Sequence, residues 1–144
     1  MNNEGLKSLG HLLSFIFGKG NKVKLEELNV YSLAMDAAER IWSLVIEWDY
    51  FAKKTVGGQF VEAIDSVAAN LSEGFGRYFF KENKQFCYYS RGSLYESKTW
   101  LRKSFNRKLI DEKTYLEMSQ ELETIGVKLN NYIKTIGKTK SDNE

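Results

Sequence analysis

Apolar residues recur every three or four positions along four stretches of this chain, and polar residues fill the intervals. In the first stretch Val30, Ala34, Ala37, Ile41, Leu44, Trp48 and Phe51 fall on one stripe, which predicts a core-facing helix over about 28–54 with Asn29 as its cap. Small Ala34, Ala37 and Ala38 narrow one end, while Trp42 and Trp48 make the other bulky. Thr55-Val56-Gly57-Gly58 reads as the turn. Phe60, Ile64, Val67, Leu71 and Phe75 then mark a second helix, for which Gly74 or Gly76 offers a left-handed stop.

The third stretch, about Lys81 to Arg107, carries a heptad. Cys87, Leu94 and Leu101 repeat every seven residues, and Ser90, Ser97 and Ser104 run beside them. This pattern predicts shallow, coiled-coil-like packing with serines allowing close backbone approach. Phe86, Ser93 and Trp100 widen the same face. Gly92 lies inside the helix, where it costs about 1 kcal/mol relative to alanine. A backbone or a large side chain is therefore expected against it, from Trp42, Trp48 or a residue of another subunit. The fourth helix starts at an Asp111 cap with an Ile110/Tyr115 staple. It continues through Met118, Leu122, Ile125, Leu129, Ile133 and Ile136, and Gly137 ends it. Four helices with short connections predict an all-α, antiparallel up-down-up-down four-helix bundle over residues 25–137.

Residues 1–24 are an N-terminal amphipathic extension. Leu6, Leu9, Leu13, Ile16 and Phe17 share a helical face, with Lys7, Ser8, His11 and Ser14 mostly opposite. Its apolar run is too short to span a membrane or to form a secretory signal, so stable membrane insertion is not expected. It reads first as an accessory helix packing on the bundle or on a neighbouring subunit, then as a frayed tail or a membrane-surface helix. Residues 138–144 read as a polar tail.

Composition sharpens this picture in three ways. The 144 residues contain no proline, which suits long uninterrupted helices. One cysteine and one histidine exclude an internal disulfide and the usual zinc sites, and point to a cytoplasmic setting. The 21 basic and 19 acidic residues leave a net charge of only +2, so nucleic-acid binding must rest on how charge is distributed.

Chemistry is sparse. His11 lies outside the bundle, no Glu-x-x-His pair offers a di-iron site, and Gly74-Phe75-Gly76 lacks the third glycine of a dinucleotide loop. No cofactor, metal site or catalytic residue is predicted, and the chain reads as non-enzymatic. Two groups of polar residues stand out. Asn70, Glu73, Arg91 and Ser93 are the first, candidates for a structural polar cluster, with a Glu73–Arg91 pair geometrically possible. On helix three Lys84, Tyr88, Arg91, Tyr95, Lys98 and Arg102 alternate cations and tyrosines down one stripe, and Arg77 and Lys81 crowd its beginning. Cations interleaved with π-faces suit a phosphate backbone with accessible bases. The plainer alternative is a solvated flank whose cations pair with Glu39, Glu62 or Glu121.

Ser66-Val67-Ala68-Ala69-Asn70-Leu71-Ser72-Glu73-Gly74-Phe75-Gly76-Arg77, followed by Arg91-Gly92-Ser93-Leu94, resembles the family of proteins encoded in intervening sequences of bacterial 23S ribosomal RNA genes. That family carries a helix reading roughly S-I-P-A-N-I-A-E-G-F-G-R and a later A-R-G-S-L-x-E. Here Ala68 replaces the proline, and Ser90 stands where alanine is common. The resemblance spans about Leu25 to Gly137. It implies a four-helix bundle assembled as a homo-oligomer, a pentamer, with Asn70, Glu73, Arg91 and Ser93 at a helix junction. The fold is also similar to that of the accessory protein of diversity-generating retroelements, which implies RNA or a nucleic-acid enzyme such as a reverse transcriptase as partner. A protein-only assembly or adaptor module is the alternative.

Overall fold

The computed structural model describes residues 23–138, in which four long helices and no strand occur. They are α1 (Asn29–Val45), α2 (Gly58–Phe75), α3 (Phe80–Asn106) and α4 (Glu112–Thr135). The amphipathic segment at 1–22, and the tail beyond Lys138, lie outside the described residues. Each helix buries the stripe that its periodicity marks. Val30, Ala34, Ala37 and Ile41 of α1 meet Phe60, Ile64, Val67 and Leu71 of α2, and the core is completed by Cys87, Leu94 and Leu101 and by Met118, Leu122, Ile125 and Leu129. The result is an all-helical bundle in which α2 packs on α1 and α3, and α4 on α1 and α3.

The first connection differs from expectation. Helix α1 ends at Val45, and the chain turns over residues 46–49, well before the glycine pair. Asp49 causes this by capping a new helical turn: its carboxylate accepts from the Ala52 amide at 3.0 Å. A π-helical turn at Lys53–Gly57 then runs straight into α2. Gly57 is helical and serves a close approach, since a Cβ there would lie 2.7 Å from Val45 Cγ1. Trp48 is consequently half-buried in the turn, and Phe51 and Trp42 are exposed instead of filling the core. Asn29 is the first helical residue and not a cap. Leu28 occupies the cap position without a side-chain bond, behind a 3-10 turn at Leu25–Glu27.

Neither glycine of the Gly-Phe-Gly run adopts a left-handed stop. Gly76 caps α2 with φ −76°. Gly74 is buried inside the helix, where a Cβ would meet the Asn83 carbonyl oxygen at 2.9 Å and Phe86 Cβ at 2.9 Å. It is the contact point that lets the start of α3 cross close over the end of α2. At α4 the expectation holds: Asp111 accepts from the Thr114 amide at 2.7 Å, and Gly137 closes the helix with φ +82°.

Candidate nucleic-acid interface

The interhelical polar contacts are built from other residues than those the sequence singled out. Ser90 is fully buried and its hydroxyl donates to the Val67 carbonyl of α2 at 2.7 Å. Ser97 and Ser104, also buried, turn back onto the Ser93 and Trp100 carbonyls of their own helix. Asn83 is a second node. It lies against Gly74, donates weakly to the Tyr132 hydroxyl at 3.4 Å, and accepts from the Cys87 thiol at 3.7 Å. Burial pushes the Tyr132 hydroxyl up from its ordinary pKa, and burial raises the Cys87 thiol to about 11. Asn83 carried no sequence signal, because one polar residue in the first turns of a helix is unremarkable.

Asn70, Glu73, Arg91 and Ser93 are not brought together as a cluster. Asn70 donates back to the Ser66 carbonyl at 2.8 Å. Glu73 pairs with Arg77 one turn later at 2.9 Å, on the exposed side of α2. Arg91 instead reaches α4 and donates to Asn130 Oδ1 at 3.2 Å. The Glu73–Arg91 pair is therefore not formed. Each partner finds a nearer polar group at the surface, where no desolvation has to be offset.

The cation and tyrosine stripe of α3 is present but largely engaged along α4. Arg91 lies over the Tyr88 ring at 5.0 Å, and Lys98 over Tyr95 at 5.0 Å. Lys98 also pairs with Glu123 at 2.9 Å, and Arg102 donates to the Tyr115 hydroxyl at 3.0 Å. That bond is the first cause holding the Tyr115 hydroxyl below its usual range. The acidic partner is Glu123, not Glu39, Glu62 or Glu121; Glu121 and Glu117 are bound by Arg40 of α1.

The beginning of the stripe is different. Tyr78, Phe79 and Phe80, between α2 and α3, are 89%, 63% and 65% exposed, with Tyr78 and Phe79 edge to face at 5.0 Å. Arg77 sits over the Phe86 ring at 4.8 Å, and Lys81 and Lys84 follow with no ion-pair partner among the described residues. Three consecutive exposed aromatics are far from the usual scatter of single apolar side chains on a surface. The cations stand out in the sequence but the rings between them do not, since a run of three aromatics has no helical period.

Among the described residues no helix is long and apolar enough to cross a membrane, and no group of three His, Cys, Asp or Glu side chains could hold a metal. The bundle is similar to a solved structure of a protein of unknown function from the S23 ribosomal protein family of Bacteroides thetaiotaomicron. The two share 18% identity with a TM-score of 0.66, covering 74% of this chain and 96% of that one. No curated protein matches the sequence. Residues 26–131 match the family described as 23S rRNA-intervening sequence protein, and the chain belongs to that family.

Proposed function

We propose that this protein is a non-enzymatic scaffold, an up-down-up-down bundle that associates with copies of itself and binds single-stranded RNA through one end. An enzyme acting on that RNA, such as a reverse transcriptase, is the natural further partner. The observation that carries this reading is the exposed Tyr78-Phe79-Phe80 run set between Arg77 and Lys81. Rings free of the core can stack on bases, and adjacent cations neutralise phosphates. A ring of five subunits would repeat the site and offset the small net charge of each chain. Lys84, Tyr88, Arg91, Tyr95, Lys98 and Arg102 extend the surface along α3, although the bonds of Arg91, Lys98 and Arg102 to α4 make the first role of these three the fastening of the two helices. Anisotropy of a labelled single-stranded RNA, titrated with the protein at increasing salt, tests the reading: binding must weaken with salt and with Phe79→Ala.

One observation favours the second reading, a protein-only assembly module. Among the described residues nothing lies within 4 Å of a Cβ built on Gly92, so none of them requires the glycine. Exposed Tyr88, Tyr89 and Tyr95 border it one helical turn away. A helix of a second copy seated there would use the gap.

A further inference from the structure

Adjacent exposed rings occur at both ends of α3. Tyr78, Phe79 and Phe80 mark its beginning, and Tyr50 and Phe51, in the connection between α1 and α2, are 75% and 73% exposed. Asp49 caps that connection and Ala52 and Val56 face the core, which leaves the two rings in solvent. Lys53 and Lys54 follow at once, with Lys54 over the Tyr50 ring at 5.9 Å.

Register brings the end of α3 to the same place. Ser90 meets Val67 and Asn83 meets Gly74, so each step of seven residues along α3 matches a step of seven back along α2. Repeated, that step sets Ser97 level with Phe60 and Ser104 level with Lys53, and the π-helical turn Lys53–Gly57 does pack on α3. Lys103, Arg107 and Lys108 therefore stand level with Tyr50 and Lys54. None of these cations has an ion-pair partner among the described residues. Of the neighbouring acids, Asp49 and Asp111 are engaged by the Ala52 and Thr114 amides, which leaves Glu47 and Glu112 against them.

Lys108 carries an independent mark. It alone among the described non-glycine residues has a left-handed backbone, with φ +60°. Its amide donates to the Phe105 carbonyl at 3.0 Å and the Leu109 amide to the Ser104 carbonyl at 2.9 Å, the helix closure in which glycine is the usual occupant. A side chain there costs about 1–2 kcal/mol. A cation suits a helix C-terminus, but Arg107 already supplies one. Strain at an exposed lysine is accounted for by use of its charge.

We propose that this end of the bundle is a second contact for single-stranded RNA, in which Tyr50 and Phe51 stack on bases while Lys54, Arg107 and Lys108 neutralise phosphates. The chemistry repeats that of the Tyr78–Phe80 end, and so selects the same class of ligand. The proposal rests on the RNA reading above. Helix α3, 27 residues and about 40 Å long, is the span between the two contacts.

Two variants of the full chain test it, by the anisotropy of a labelled single-stranded RNA. Phe51→Ala is expected to weaken binding by roughly fivefold to 150-fold. Lys108→Gly is expected to move two readouts in opposite directions: the urea midpoint rises as the strained lysine is removed, while RNA binding weakens and its salt slope becomes shallower by about 0.7. If Phe79→Ala weakens binding but Phe51→Ala and Lys108→Gly leave it unchanged, the second contact is overturned and the RNA reading stands. A parent chain that binds no RNA at low salt overturns both. Binding to phosphatidylserine vesicles that is lost in Phe51→Ala, with RNA affinity unchanged, gives this end to a membrane surface and overturns the proposal as well.

Discussion

The Ser90 hydroxyl donates to the Val67 carbonyl across the α2/α3 contact at 2.7 Å, with Ser90 wholly removed from solvent. Val67 lies inside α2, so its carbonyl also accepts the ordinary helical amide and is not orphaned if the serine is lost. Ser90→Ala should therefore cost only about 1 kcal/mol. Ser90→Leu, which forces extra volume between the helices, should cost about 1–3 kcal/mol. Urea unfolding of the three chains measures both, and a leucine variant as stable as the parent would mean that the helices are not in close contact there.

Gly74 and Gly92 should respond in opposite directions. A Cβ at Gly74 meets the Asn83 backbone and Phe86 Cβ at 2.9 Å, so α2 and α3 must separate; Gly74→Ala should destabilise by about 1–3 kcal/mol. Gly92→Ala meets open space among the described residues and should stabilise the isolated subunit by about 0.5–1 kcal/mol through helix propensity. If copies pack over Gly92, the same change loosens the oligomer while it stiffens the subunit. Thermal melts combined with sedimentation separate the two effects.

These two glycines also show where sequence reasoning reaches its limit. Periodicity identified the four core stripes correctly, because burial acts on one face of each helix whatever the partner. Of the two glycines offered as the stop of α2, Gly76 takes the cap and Gly74 is a crossing point, and no described residue approaches Gly92, because a glycine in the sequence does not by itself tell a crossing point from a cap. The turn was displaced for a similar reason: the Asp49 cap ends the preceding run more strongly than the Gly57-Gly58 pair, which is accommodated within helical geometry. The polar cluster failed because sequence spacing does not reveal that Arg77 lies nearer Glu73 than Arg91 does. The α3 stripe was legible as a pattern, but its fastening to Asn130, Glu123 and Tyr115 depends on the register of α4.

Cys87 should be inert in the native protein. It is buried and its thiol pKa is about 11, so at pH 8 only about one thiol in a thousand is ionised. A disulfide reagent should leave it unmodified until urea unfolds the bundle, whereupon one equivalent reacts rapidly. Prompt reaction in buffer would show that the α2/α3/α4 core opens readily.

The Asp111 cap gives a pH dependence of definite sign. Its carboxyl is held below the usual value first by the Thr114 backbone bond, so the ionised form is favoured in the folded state. The stabilisation is complete above the unfolded-state carboxyl pKa and is lost as pH falls through the lower folded value. Asp111→Ala should thus lower the urea midpoint at pH 7, and the gap to the parent should shrink as pH drops toward 3 and below. A gap independent of pH would show that the charge contributes nothing to the cap.

The interface account rests on rings stacking with bases beside free cations, and the affinity of single-stranded RNA for the parent and Phe79→Ala chains, followed across salt concentration, tests it most directly. Base stacking worth about 1–3 kcal/mol predicts a loss of roughly fivefold to 150-fold on removing the ring. The logarithm of the parent's affinity should fall linearly with the logarithm of salt, and Lys81→Ala should make that slope shallower by about 0.7. RNA bound equally by both chains, or not bound by the parent at low salt, would contradict the account.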